Sequence, residues 1–367
     1  MSITKRIRAS DGDFTTLDNF YTWLYSGDPD TLRNSGGGLT QNIDVLLQGD
    51  MEHSSTTAGL KIGTFQSRWA GFKMTFKTDP SEQLTPATIN LGENAIQTTD
   101  GDTAVSSGTL EVTKLKLKTT RAYIVGGNEN KVAGQTVSVH DCIIYTQGLN
   151  VFGGGNLNGQ TQELFHCHIF QKPTSVFGLA LLSISNGTTR FVNNFFGGYR
   201  SDYYIVLSSD SNTLCDSNTF WNYAYVPGFN GVLGTNAIID QDPNLVDVMI
   251  QSNDDSIATI AGRNSYPTLS SQCLTDIGNL TYKTASDILG YVRGESGSES
   301  DRGAYELAST YNKKVERGEW RGVRNKRFKP GLIPNTIEEK QKSQEDLSIL
   351  AKHKRVNKLN KSLLGIK

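Results

Sequence analysis

Short runs in which apolar and polar positions alternate recur along the middle of the chain: VSVHDCIIY (137–145), QELFHCHIF (162–170), RFVNNFFGG (190–198) and LCDSNTFWN (214–222). Each places a small polar residue between a β-prone stretch and a group of aliphatic or aromatic residues. Aligning Cys142, Cys167, Asn194 and Asn218 gives spacings of 25, 27 and 24 residues, and stepping back 27 from Cys142 reaches Leu115 in the alternating segment LEVTKLKLK. Alternation with a period of two predicts strands, and its return about every 25 residues predicts a stack of similar units. Gly-, Asn- and Ser-rich loops such as GGGNLNGQ (153–160) and SNGTT (185–189) separate the runs, without helical stretches or a leucine-rich framework. The expected fold is all-β, a parallel β-helix solenoid, in preference to an antiparallel sandwich of look-alike strands. Within it, the column Cys142, Cys167, Asn194, Asn218 is expected to face inward near a bend, where asparagine amides satisfy backbone groups of adjacent coils.

The exception to this pattern lies near the start. After Asp13, Leu17, Phe20, Tyr21 and Leu24 recur at helical spacing, with Thr15 or Thr16 available as a cap. This segment is expected to lie over the first coil and cover its open edge. The organisation that follows is an N-terminal cap (1–40), a parallel β-helix (41–236), a closing segment (237–306) and a basic arm (307–367) carrying a helix over about 337–364.

Composition changes the picture in one respect. The net charge is −1, but residues 307–367 hold sixteen Lys and Arg against six Asp and Glu, leaving an acidic body and a basic tail. In the arm, Arg317, Arg321, Arg324, Lys326 and Arg327 interleave with Trp320 and Phe328. Thr336 and Glu339 then form a capping box ahead of a thin apolar stripe that includes Leu347 and Leu350. A solvated tail and a nucleic-acid-binding tail are the competing readings. The acidic body argues against a polyanion, and the favoured expectation is an arm that anchors the protein on an acidic partner surface. No run of apolar residues reaches the length of a membrane span, and Val176–Ser185 is the longest. The N-terminus shows no secretory pattern, so assembly in a reducing cytoplasm is expected.

Candidate chemistry is sparse. Cys142, Cys167, Cys215 and Cys273 include no CxxC pair. A glycosidase would need a carboxylate pair, for which Asp202, Asp210 and Asp216 are weak candidates, since Asp210 lies in the turn-forming SSDSN. His166 and His168 flank Cys167. In a continuous strand the two imidazoles would share a face opposite the thiol, so one metal could not take all three; a contact between His166 and Asp141 on the outer face is the alternative. No cofactor or metal is expected. Asp240, Asp242, Asp247, Asp276, Asp301 and Glu306 are expected to bind backbone N–H groups in turns.

Two regions carry a family resemblance. The succession DPNLVD (242–247), CLTDIG (273–278) and DRGAYE (301–306) resembles the closing section of right-handed parallel β-helix proteins of the pectate-lyase-like type. The opening DGDFTTLDNFYTWL resembles the start of such proteins in tailed bacteriophages. Arg302 stands where the family more often has an aliphatic residue, and the extension after Glu306 is not a family feature. The resemblance implies a right-handed solenoid and a virion structural protein, a homotrimeric capsid-exterior decoration or spike anchored to the major capsid or another virion protein by its C-terminal arm. The alternative it implies is a tailspike-like receptor-binding protein or polysaccharide depolymerase acting on a host surface glycan, with Tyr203, Tyr204 and Trp221 as sugar platforms.

Overall fold

The chain divides into two units, Met1–Ser309 and Thr310–Lys367. The computed structural model describes residues 2–25, 41–52, 61–62, 72–82, 84–92, 96–98, 108–120, 123–125, 134–147, 150–152, 159–171, 179–182, 187–198, 205–208, 213–222, 234, 236–239, 241–245, 265, 267, 271, 273–274, 277–293 and 300–306. All of these belong to the first unit.

That unit is a parallel β-solenoid. Two eight-stranded parallel sheets run its length, joined by a four-stranded and a two-stranded sheet. In the first sheet Thr109–Thr113, Thr136–His140, Thr161–Phe165, Thr188–Val192 and Thr213–Asp216 stack in register. In the second, Lys116–Thr119, Ile143–Thr146, His168–Gln171, Phe195–Gly198 and Thr219–Trp221 do the same. At about 4.8 Å per strand, eight strands span ~34 Å along the axis. The longest apolar run supplies Leu179–Leu182, a strand of the four-stranded sheet.

The alternation sets the faces. Val112, Val139, Leu164 and Phe191 form one inward column of the first sheet, fully buried, while Glu111, Ser138, Glu163 and Arg190 point outward between them. In the second sheet Leu117, Ile144, Ile169, Phe196 and Phe220 line the interior. Phe196 and Phe220 stack with centroids 5.0 Å apart, as register-matched rings on successive coils must.

At the first edge, strand Ser2–Ile7 pairs with Asn42–Leu47, so the first sheet begins at residue 2. Helix α1 (Leu17–Tyr25) follows. The Thr16 hydroxyl accepts the Asn19 amide at 3.1 Å, which makes Thr16 the cap. Leu17, Phe20, Tyr21 and Leu24 are all buried in the core, and Phe20 meets Phe76 edge-on at 6.0 Å.

The bend between the two long sheets positions everything that follows. Lys114, Asp141, His166, Asn193 and Ser217, one per coil, take φ values of 58, 52, 49, 59 and 52°. Asn, Asp and His tolerate this left-handed conformation better than other side-chain-bearing residues, which accounts for most of the column. The next residues, Leu115, Cys142, Cys167, Asn194 and Asn218, turn inward and are buried. There the Asn194 carbonyl oxygen accepts the Cys167 amide at 2.9 Å, and its Nδ2 donates to the Leu164 carbonyl at 2.8 Å. Asn218 repeats this one coil on, accepting from the Asn194 amide at 3.0 Å and donating to the Phe191 carbonyl at 2.8 Å. The expected amide ladder is present.

The bend also corrects the reading of 166–168 as one continuous strand. His166 sits in the turn, and His168 opens the next strand. Both are fully buried, because the closing segment covers this side of the solenoid.

Candidate functional site

The outward side of the left-handed column carries the densest polar chemistry among the described residues. It forms where residues 277–293 and 300–306 lie across the bend. Asn193 offers its amide to this segment, donating to the Asn279 carbonyl at 2.8 Å and accepting the Asn279 N–H at 2.6 Å; its own backbone carbonyl accepts from Gly303 at 2.7 Å. Gly303 has φ 87°, and a Cβ there would stand 2.1 Å from the His168 ring, so only glycine fits. Arg302 enters the interior, where its guanidinium donates to the carbonyls of Ile277, Asn218 and Asn236 at 2.8–3.2 Å. That set of acceptors is why a cation is tolerated where an aliphatic residue was expected.

Arg293 is the centre of the site. It is 0% exposed, and its guanidinium donates to Asp141 Oδ1 (2.6 Å), the Gly303 carbonyl (2.9 Å), Thr284 Oγ1 (3.0 Å) and Glu306 Oε2 (3.3 Å). Its other acceptors are the carbonyls of Tyr305 and Asp301. A buried cation of this kind is sustained only by near-complete pairing. The charges continue outward on the other side of Asp141. His140 Nδ1 lies 2.8 Å from Asp141 Oδ2, His140 Nε2 lies 3.3 Å from Glu111 Oε1, and Lys73 Nζ lies 2.7 Å from the same Glu111 oxygen. Lys73, Glu111, His140, Asp141, Arg293 and Glu306 thus form a chain of alternating sign from the first sheet's outer face to the buried end of the closing segment.

Protonation follows from this geometry. Burial disfavours the charged His140 ring, but the hydrogen bonds and charges of Asp141 and Glu111 override it and raise its pKa to about 10. For Asp141, burial is outweighed by the Arg293 charge and by His140, and for Glu111 by His140 and Lys73; each is held at about 2. Burial and the nearby Arg293 charge keep His166 and His168 neutral, the latter at about 3. His166 Nδ1 therefore donates to the Asp301 carbonyl at 3.0 Å, and its bare Nε2 accepts from Asn193 at 3.0 Å. The expected partnership of His166 with Asp141 on an outer face gives way to these two bonds beneath the closing segment. Asp287 is pushed up to about 7 by burial, against the Arg293 charge and the backbone N–H groups of Glu306 and Tyr291.

Beside the chain lies a cavity of about 300 Å³, lined by Thr75, Lys77, Thr78, Glu111, Thr113 and Lys114 from the coils and roofed by Thr284, Ala285 and Ser286.

No family model, curated protein or solved structure matches the chain. The fold is therefore established by the strand pairing itself, and what the chain ends resemble contributes to function only as a proposal.

Of the candidate carboxylates, Asp216 ends the last strand of the first sheet, nearly buried, accepting from Ser217 Oγ and Asn236 Nδ2 at 3.2 Å each and from the Asn279 amide. Asp202 and Asp210 lie outside the described residues, as do Tyr203 and Tyr204; Trp221 is half-buried at the end of its strand. The arm residues Arg317, Trp320, Arg321, Arg324, Lys326, Arg327, Phe328, Leu347 and Leu350 also lie outside them. In the closing segment, Asp242 accepts the Asn244 amide at 2.8 Å and Glu306 accepts the Asp301 amide at 3.0 Å, as expected of turn carboxylates. Glu306 binds Arg293 as well, and that second role was not anticipated. All four cysteines are free, and burial raises Cys167, Cys215 and Cys273 above the ordinary thiol range. Among the described residues, no three His, Cys, Asp or Glu side chains converge on a common metal position.

Sequence reasoning missed Arg293 and Lys114. For Lys114 a signal existed: the column one residue before Leu115, Cys142, Cys167, Asn194 and Asn218 reads Lys, Asp, His, Asn, Ser, mostly residues suited to a left-handed turn.

Proposed function

We propose that this chain is a structural protein of a tailed-phage virion, a right-handed β-helix that decorates the capsid exterior or stands as a spike, works as a homotrimer and is held to a particle protein by residues 307–367. The observation that supports a mechanical role is where the body's titratable groups are spent. Lys73, Glu111, His140, Asp141, Arg293 and Glu306 satisfy one another and bind the closing segment across the bend. A catalytic centre needs groups poised to exchange protons near the working pH; this chain of ions is held at about 2 and about 10, and Asp287, at about 7, is buried with its oxygens accepting the Leu289, Tyr291 and Glu306 amides. Sixteen cationic side chains in the last 61 residues, set against an acidic body, suit an arm that lies on an acidic surface of another protein.

The test compares the full chain with a truncation after Glu306, each added to particles or shells lacking the protein. The truncation retains every member of the ion chain, so loss of binding reports on the arm. Binding by the full chain alone supports the reading. Equal binding by both overturns the arm as anchor, and cleavage of host polysaccharide by the truncated body makes the protein a depolymerase instead.

A further inference from the structure

The cavity on the outer face of the first sheet holds one cation that makes no ion pair among the described residues. Among the cavity-lining side chains, Glu111 is held by Lys73 and His140, Asp141 by His140 and Arg293, and Lys77 approaches Asp44 at 3.5 Å. Lys114 is the exception. It is mostly withdrawn from water, and its ammonium donates to the Ser286 hydroxyl at 2.8 Å, with no carboxylate engaging it among the described residues. Its position is fixed by the fold, since it holds the left-handed place in its coil with φ 58°. Burial lowers its pKa and outweighs the Asp141 and Asp287 charges, which favour the ammonium.

A partly desolvated ammonium facing an open cavity is poorly served by one hydroxyl, because each further donor hydrogen needs an acceptor. The lining hydroxyls of Thr75, Thr78 and Thr284 already donate to Glu111, the Lys114 carbonyl and Asp141, and Thr113 is bonded to His140, so the donors left to face the cavity are Lys114 and the Ser286 hydroxyl, with Lys77 as a second cation. About 300 Å³ is the lower end of small-molecule pockets. Glu111 and Asp141 set a limit on the ligand, since a second negative group on it would meet their carboxylates.

We propose that this cavity binds one small oxyanion, a carboxylate or phosphate group, on the Lys114 ammonium and the Ser286 hydroxyl. The bound anion bridges Lys114 on the bend to Ser286 in the closing segment, so occupancy also tightens the cover over the coils.

The experiment uses the full chain, titrated with inorganic phosphate and, separately, with sodium acetate at constant ionic strength, with chloride as the reference. Thermal unfolding and calorimetry are the readouts. Expected is a saturating rise in the unfolding midpoint with at least one of the two, and the one that saturates identifies the source of the oxyanion. In Lys114→Met the apparent affinity should fall by about tenfold or more, while the anion-free protein unfolds no lower than the original because an uncompensated cation has gone. A rise that is linear in phosphate and identical in both proteins is a general salt effect and overturns the proposal, as does no rise with either anion. Should Lys114→Met not fold, Lys114→Arg and crystals soaked in phosphate decide: retained binding with density at residue 114 supports the site, and an empty cavity overturns it.

Discussion

The two walls of the same bend solve one problem by opposite means. On the inner wall Asn194 and Asn218 satisfy backbone groups of adjacent coils with neutral amides. On the outer wall Asp141, Arg293 and Glu306 join segments that lie far apart in sequence with full charges. Between neighbouring coils the register is already set by strand pairing, so an amide has only to supply hydrogen bonds. Residues 277–293 and 300–306 have no such guide, and a buried charge that tolerates a single partner arrangement defines where they dock. The inner wall is inexpensive and repeatable, and the outer wall is strong only when complete.

The sharpest way to break the comparison is Arg293→Ala. It removes the buried cation that Asp141 and Glu306 share, leaving Asp141 with His140 alone among the cations paired with it here, and a loss of about 3–5 kcal/mol is expected in denaturant unfolding. Pairing Arg293→Met with Asp141→Asn should recover part of that loss, since the penalty lies in the unpaired charge; no recovery would show that Arg293 acts through packing alone.

The next effect is pH dependence, which belongs to the outer wall. His140 has a folded pKa raised to about 10, so its contribution is complete below about 6.5 and is lost as pH rises toward 10. Asp141 and Glu111, held at about 2, contribute above about 4 and lose that as pH falls. The neutral His166 and His168 add to the acid loss below about 6.5, because the unfolded chain takes up protons there. Asp287, raised to about 7, opposes this between about 4 and 7 but counts once against two histidines. The unfolding midpoint should peak near pH 6.5, with His140→Gln flattening the alkaline limb. A midpoint that rises steadily to pH 9 would contradict the ion chain.

Gly303→Ala should cost about 2–4 kcal/mol, from a left-handed backbone and a Cβ driven into the His168 ring. On the inner wall Asn194→Ala removes the acceptor for the Cys167 amide and the donor to the Leu164 carbonyl, at about 2–3 kcal/mol. Smallest is Arg190→Ala, which breaks a pair with Glu163 on the first sheet's partly exposed face and should cost at most about 1 kcal/mol.

These walls were not equally readable from the sequence. The inner one showed itself because Cys142, Cys167, Asn194 and Asn218 recur every 24–27 residues, and a repeat of that kind is visible without knowing any contact. The outer wall depends on Asp141 meeting Arg293 across 152 residues, and no period links them. His166 was misplaced for a local reason: hydrophobic alternation continues through the turn, so it hides the single left-handed residue that resets the faces. The helix α1 was legible because its spacing differs in kind from that of the strands.

The Asp141–Arg293 tie also has a meaning in time. Asp141 leaves the ribosome 152 residues ahead of the arginine that neutralises it, an interval on the order of ten seconds at ordinary rates of synthesis. Any coils that form in that interval stand with Asp141 hydrated at an uncovered bend, held by strand pairing, the apolar interior and the amide ladder. The closing residues would then meet Asp141, His166 and Asn193 aligned by three consecutive coils. A stack that had slipped by one residue would present no such line. A guanidinium that docks last would close only over coils already stacked in register.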